Sequence, residues 1–569
     1  MHDQVTPSYS NDEMAAIAKE FYGLEGAVKP LVSYEDQNAR LTVGAEQYVL
    51  KVANAAAVVA DLEFQHAVLE YLEDKFPDGG IPKVMKNTQG GTIAMHEGHA
   101  VRLLTFVPGE VLSFTERTPK LHASLGRYMG QFNVAMQGFT HPGALREDFI
   151  WSLDNVMLVK PYIHHIALQE NRERVERFFK RYEAHVLPKL KGLRKAVIHQ
   201  DANDHNVLVN EAGEVSGIID FGDVAWGSQI NELAVTMAYA LQNTDNTLAA
   251  AKDIIRAYDA AFPLESDERD ILFDLIAMRI VQSVTLSSRD AKTDPDNVYL
   301  VISQTPGFEL LEKLEALNPE FLKLFSKQIA GGLGDDDLAA CNWLRGFGAC
   351  ADLFPFSLRD CAHITVSMVD GAEGSEHITD QKAYGTWLNN KMEVEGAKYA
   401  IGLYGEDRSC YTSANFVDTA SGEPRSVHMG IDLFVPAETP LFVPIKGKVF
   451  SVHDNAGALD YGPTIILEHK VPDTGISFFT LYGHLARKSL SMIRVGDEIN
   501  AGQQIGFIGD LDVNGGWTPH LHLQVMTSML GNVHDFPGAC EASRWGVWQN
   551  ICLNPELLLG LTIRVSGRA

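Results

Sequence analysis

At 569 residues the chain has room for about three or four core-sized units, and 47 basic against 74 acidic residues leave a formal charge of −27. That balance argues against nucleic acid or an anionic membrane as the main partner. The six cysteines (Cys341, Cys350, Cys361, Cys410, Cys540, Cys552) form no C-x-x-C pair and no dense framework, so they read as reduced thiols of a cytoplasmic protein. Met1-His2-Asp3-Gln4-Val5 lacks a basic region followed by an apolar run, and no apolar stretch approaches a membrane span of ~18–20 residues, so neither secretory signal nor span is expected.

Near the N-terminus, Ser33-Tyr34-Glu35-Asp36-Gln37-Asn38 is a run of mostly short polar residues that can turn the chain and offer backbone N–H groups to phosphate. Residues 39–43 and 47–52 then alternate like two strands joined at Gly44-Ala45-Glu46, a hairpin signal. Lys51 lies at the end of the second strand. Asn54 can cap a helix whose apolar residues Val58, Val59, Leu62, Leu69 and Leu72 keep helical spacing. Residues 103–107 run on toward Pro108-Gly109.

Val197-Ile198-His199-Gln200-Asp201-Ala202-Asn203-Asp204-His205-Asn206-Val207-Leu208-Val209 follows, and then Gly217-Ile218-Ile219-Asp220-Phe221-Gly222-Asp223. Two strand-like runs flank a polar loop that carries Asp201 and Asn206. Phosphoryl transfer needs such a kit: a carboxylate to orient the attacking hydroxyl, with an amide and a second carboxylate to hold magnesium.

The H-x-D-x-x-x-x-N loop and the later aspartate resemble the aminoglycoside phosphotransferase and choline kinase superfamily, relatives of protein kinases. The resemblance implies an α+β bilobal fold, Mg2+ with ATP or GTP, Asp201 as catalytic base, and Asn206 and Asp220 as magnesium ligands. His199 is expected to buttress the loop. Lys51 stands where the superfamily holds nucleotide phosphates, with Glu63 as its helix partner and Glu70 as second choice. The run from Ser33 to Asn38, with Tyr48-Val49-Leu50-Lys51 after it, resembles the hydroxylysine kinase-like branch, and implies nucleotide contacts from Ser33, Asp36, Gln37 and Asn38. Residues 1–107 then read as N-lobe and 108–330 as a mostly helical C-lobe with the acceptor site. Within it, residues 172–186 and 231–241 look amphipathic. Residues 279–288 form a further helix candidate, where Arg279 has two readings, a functional role or, preferred, solvation of a core helix. Gly331-Gly332-Leu333-Gly334-Asp335-Asp336-Asp337 opens an acidic, glycine-rich linker over residues 331–349. Residues 350–400 are left with two placements, wrapping the next sheet or bridging the domains.

The last third carries a different chemistry. Val427-His428-Met429-Gly430-Ile431-Asp432 is answered ninety residues later by His520-Leu521-His522. Histidine and aspartate supply the neutral nitrogen and anionic oxygen that a catalytic zinc takes, with a fourth position left for water. His520 and His522 lie on a strand-like run with Leu521, Leu523 and Val525, so the two histidines share a face. His484, in Leu481-Tyr482-Gly483-His484-Leu485, ends another such run.

His428-x-x-x-Asp432, Tyr482-Gly483-His484-Leu485 and Pro519-His520-Leu521-His522 resemble the lysostaphin-type zinc metallopeptidases, a family of peptidoglycan hydrolases. An all-β domain over residues 350–569, with its core at 400–530, is implied. So are Zn2+ on His428, Asp432 and His522, and roles for His484 and His520 toward the water and the oxyanion. The whole plan is similar to the first two thirds of kinase–peptidase–class III aminotransferase fusion proteins. It implies a small-molecule kinase acting on an amino alcohol or hydroxylated amino acid, with a second, zinc-dependent amide-cleaving activity. The alternatives are an aminoglycoside-type antibiotic phosphotransferase, a non-catalytic zinc domain that docks a separate pyridoxal-phosphate phospholyase, and a peptidoglycan amide hydrolase.

Overall fold

In the computed structural model, described over residues 6–33, 36–293, 304–348, 350–408, 416–417 and 423–561, the chain divides into two compact units. One comprises Met1–Glu315 and Phe325–Gly332, the other Ala316–Leu324 and Leu333–Ala569.

The first unit begins with helix Asn11–Tyr22, started by a Ser10/Glu13 capping box. A five-stranded antiparallel sheet follows, in the order Ala27–Leu31, Gln37–Val43, Glu46–Val52, His99–Thr105, Ala94–His96. The expected hairpin at Gly44 forms its centre. Strand alternation sends Leu41, Leu50, Val52, Val101 and Leu103 under the first helix, where they meet Met14, Ile17 and Ala18. Lys51 and Arg102 alternate with those core residues and so lie on the opposite face of the sheet. Helix Val59–Lys75 buries Leu62, Leu69 and Leu72, but Asn54 does not cap it. Asn54 accepts from the Ala56 N–H, and the helix begins only after Val58.

The rest of this unit is helical around short strands. Strand Lys195–Ile198 pairs with Ala225–Ser228, and Val207–Val209 pairs with Val215–Ile218, so the polar loop sits between two fixed ladders. Helix Ile230–Ala240 is buried on every side, where an amphipathic helix was expected. Helix Ser266–Thr293 corrects a second expectation: over Ser266–Lys292 it is long and apolar enough to cross a membrane. Most of that stretch is buried inside the protein, as befits a core helix.

The second unit is built on one large sheet, in the order His363–Val366, Tyr399–Gly402, Ile431–Phe434, His520–Met526, Ser477–Gly483, Gly462–Lys470, Gly447–Asn455, Glu498–Ile499. Residues 350–400 add its edge. Strand His363–Val366 crosses over through helix Gln381–Glu395 to pair in parallel with Tyr399–Gly402. The stretch expected as a linker at 331–349 contains helix Asp335–Gly346. Three aspartates favour its positive N-terminus, and Ala340, Cys341 and Leu344 join the core that holds Tyr399, Ile431, Leu521 and Leu523.

Two candidate active sites

At the cleft face of the first sheet, Lys51 and Arg102 are register partners on adjacent strands. Arg102 is almost wholly buried. Its Nη1 donates to Gln65 Oε1 at 2.7 Å, and its Nη2 lies 3.6 Å from Asp36 Oδ2. Asp36 also accepts from the Asn54 N–H at 3.1 Å, so its side chain is tied to both the sheet and the chain beyond it. Ser33 Oγ donates to the Asp36 carbonyl, and Tyr34 and Glu35 of the expected phosphate loop lie outside the described residues. Asn38 sits across the ladder from Lys51. Gln37 does not face a nucleotide: its amide exchanges hydrogen bonds with the backbone of Tyr9, at 2.7 and 2.6 Å. Glu63 is exposed, because the helix turns Phe64, His66 and Gln65 inward instead. Arg102 and Gln65 are therefore the sheet-to-helix tie, and the expected Lys51–Glu63 pair is replaced. His66 is buried with neither ring nitrogen hydrogen-bonded. Burial, with Arg102 and Lys51 nearby, pushes it down to about 4, so it is neutral.

The polar loop is held from below. The His199 backbone N–H donates to Glu232 Oε2 at 2.6 Å, and its ring Nε2 lies 3.1 Å from the Ile219 carbonyl. Burial pushes that ring to about 4 as well. Asn203 and Asn206 donate side-chain N–H groups to Asp201 Oδ2 at 2.9 and 2.8 Å. Oδ1 accepts from Arg279 Nη2 at 2.8 Å. Arg279 thus reaches the loop from helix Ser266–Thr293, its guanidinium 5.0 Å from the Trp151 ring and 5.6 Å from that of Tyr239. It is no mere solvation of a core helix. Burial and the neighbouring Asp223 push Asp201 up, and Arg279 opposes them. Asp220 is held down, chiefly by Lys51. Gln200 and Asp220 both adopt positive φ, at 66° and 62°, a cost of roughly 1–3 kcal/mol each that the surrounding ladders must offset.

In the second unit the sheet register assembles the other site. Asp432 lies directly across from His522, and His522 directly across from Gly483, the residue before His484. Asp432 Oδ1 is 3.0 Å from His522 Nδ1 and 3.3 Å from His428 Nε2. One donor atom from each of the three lies within 4.8 Å of the others, and all three residues are buried. Their outer nitrogens are engaged: His428 Nδ1 with the Leu403 carbonyl at 2.8 Å, His522 Nε2 with Gln524 Oε1 at 3.2 Å. Those bonds place the N–H outward and leave the lone pairs for a metal. The donor set therefore fits zinc. Gly430 makes room, since a Cβ there would come 2.7 Å from His522 Cε1.

The rings of His484 and His520 lie 4.3 Å apart, tilted by 43°, beside this triad. Their Nδ1 atoms are 2.9 and 2.6 Å from the Asn514 and Thr518 carbonyls. His520 Nε2 is 3.6 Å from Asp432 Oδ1. Burial pushes His428 down to about 4 and holds His484 and His520 below the usual range. Asp432 stays well below the usual carboxylate range through His428 and Arg408, which outweigh its burial.

Three residues escaped the sequence reading: Arg102, Gln65 and Arg408. Arg102 had a local signal, a lone cation inside the apolar run Val101-Arg102-Leu103-Leu104. Arg408 had none, because only the fold brings it to Asp432.

Comparison with known proteins matches residues 27–266 to a phosphotransferase enzyme family and residues 426–533 to peptidase family M23. Hydroxylysine kinase of Mus musculus is 30% identical over 337 residues, covering 54% of this chain and 90% of the relative. That of Xenopus laevis is 31% identical over 346 residues, covering 55% and 92%. Among solved structures, the amicoumacin kinase hAmiN in complex with AMP-PNP, Ca2+ and Ami aligns with a TM-score of 0.43 and 14% identity, over 54% of this chain and 94% of that one.

Proposed function

Because the chain belongs to the hydroxylysine kinase family of phosphotransferases and carries a peptidase family M23 domain, we propose that its first unit moves the γ-phosphoryl of ATP or GTP to the hydroxyl of a small hydroxylated amine, hydroxylysine-like amino acids foremost. The observation that carries this reading is the Asp201 carboxylate, held on both oxygens by Asn203, Asn206 and Arg279. Oδ2 accepts from two amides and Oδ1 from Arg279 alone, so Oδ1 keeps acceptor capacity and an acceptor hydroxyl can donate its proton there as its oxygen attacks phosphorus. Lys51 holds the phosphates. Asn206 spends its N–H groups on Asp201, which leaves its carbonyl oxygen, and Asp220 is kept anionic. Those two residues would hold magnesium, which when bound neutralises charge building on the phosphates. An acceptor amine is attracted by Asp201, Asp220 and Asp223 together.

In the second unit His428, Asp432 and His522 would hold zinc, which when bound supplies a Lewis acid that acidifies water and polarises an amide carbonyl. His484 and His520, neutral and fixed through Nδ1, keep Nε2 for proton transfer and for the developing oxyanion. Retention of all five residues favours an amide hydrolase over a scaffold. The five free cysteines among the described residues accord with a reducing, cytoplasmic setting.

The decisive experiment offers the full chain ATP and GTP with hydroxylysine, small amino alcohols and aminoglycosides. Turnover of hydroxylysine or another small hydroxylated amine is expected. Robust turnover of aminoglycosides alone would reverse the assignment.

A further inference from the structure

Behind the three metal-ligand candidates lies a buried chain of charge that neither proposed reaction uses. Arg408 Nη1 donates to Asp432 Oδ2 at 2.8 Å, and its Nε donates to Glu406 Oε2 at 3.1 Å. The three side chains expose 2%, 3% and 6% of their surface, for Arg408, Asp432 and Glu406 in turn. Glu406 is itself anchored, accepting from Ser367 Oγ at 2.6 Å and from the Met368 N–H at 3.2 Å. The root of Arg408 is fixed too, because its backbone N–H donates to the Ser426 carbonyl at 2.8 Å. Gly402 lies directly across the sheet from Asp432, and a Cβ there would come 2.9 Å from Arg408 Nη2. A side chain at 402 would therefore press on the guanidinium.

This arrangement makes the two oxygens of Asp432 unequal. Oδ1 faces His428, His520 and His522, and Oδ2 faces Arg408. A buried guanidinium is costly unless good geometry repays its desolvation, and well-packed apolar residues often serve stability as well. Stability alone is thus a weak account of it. Coordination chemistry gives a better one. Two histidines and a carboxylate bound through both oxygens already fill four positions around zinc, so water can join only as a fifth ligand. Bound through one oxygen, the same carboxylate leaves a position free.

We propose that Arg408 holds Asp432 as a one-oxygen metal ligand and so keeps the site open for substrate chemistry. It is a positioning residue, acting through Asp432, and Glu406 sets its angle. The inference rests on the zinc reading above, and its test separates the two.

Full-length protein loaded with Co2+ in place of Zn2+ reports coordination number through its visible spectrum, intense for four ligands and weak for five. Wild type should show the intense four-coordinate bands. Arg408→Met should bind Co2+ yet shift to the weak five-coordinate pattern, because Asp432 can then bring Oδ2 onto the metal. Glu406→Gln, which keeps the size of the anchor, should move the spectrum the same way by a smaller amount, and it carries the test if Arg408→Met fails to fold by circular dichroism. Unchanged four-coordinate spectra in folded, cobalt-loaded variants would overturn the role of Arg408 alone. A wild-type protein that takes up no Co2+ would overturn the metal reading and this inference together.

Discussion

Arg102 stands across the ladder from Lys51, and it is Arg102, through Gln65, that holds the neighbouring helix. In protein kinases a lysine–glutamate pair does this work. Here the tie passes to a second cation, and Lys51 is left to act on Asp220.

The two cations should therefore fail differently. Arg102→Met loosens the helix and the Asp36 turn, and should raise the nucleotide KM roughly tenfold, the loss of a charge-assisted hydrogen bond or two. Lys51→Met should lower kcat by about two to three orders of magnitude, as removal of a transition-state charge does. Steady-state kinetics on both variants would show it, and the same KM and kcat pattern in each would contradict the division.

Asp201→Asn keeps the shape of the loop and removes its carboxylate. Turnover should fall by about two to four orders of magnitude while nucleotide affinity barely changes. Asp220→Ala should instead abolish magnesium-dependent nucleotide binding, measurable by calorimetry. Normal turnover in Asp201→Asn would remove it from the reaction.

The full chain should take up about one zinc, as an open three-ligand site does. His428→Ala and His522→Ala should lose it, whereas His484→Ala and His520→Ala should retain it and lose amide cleavage. Metal analysis of folded variants decides this without knowledge of the substrate. Equal loss from all four would mean that the histidines are not divided as assigned.

Acid should weaken the second unit through His469, which is buried between the Lys446 carbonyl and Thr480 Oγ1. Its burial pushes the ring down to about 4. The unfolded chain takes up that proton near 6.5, ahead of the folded one, so the stabilisation is complete above about 6.5 and disappears as pH falls toward 4. The site contributes on the order of 3 kcal/mol across that window. His469→Gln should flatten the pH dependence of the unfolding temperature between pH 7 and 5. An unaltered slope would count against it.

The sequence carried the site residues that local pattern determines. Asp201, Asn206 and Asp220 sit in one loop and its returning strand, and the period of two along His520-Leu521-His522 already separates ligand face from core face. What it did not carry was direction and distance. Helical spacing names the buried stripe of Val59–Lys75, yet Glu63 and Gln65 lie on nearly opposite sides of the helix, about 160° apart, and which side meets the sheet is set by the tertiary packing. Arg279 lies 78 residues from Asp201, and no local rule joins them. The glycines and aspartates of 331–337 read as a linker because composition outweighed the apolar spacing of Ala340, Cys341 and Leu344, which only a waiting core turns into a helix.

The edge added by His363–Val366 also decides where this protein can be cut. A fragment trimmed to the family match at 426–533 would omit Glu406 and Arg408 altogether. One begun at Tyr399 would keep them but strip Glu406 of Ser367 and Met368. It would also leave the strand Tyr399–Gly402 with an unpaired row of N–H and C=O groups, a template for sheet-to-sheet association. An excised hydrolase should therefore start upstream of His363. Shorter pieces would be expected to aggregate even though every metal-ligand candidate is present in them.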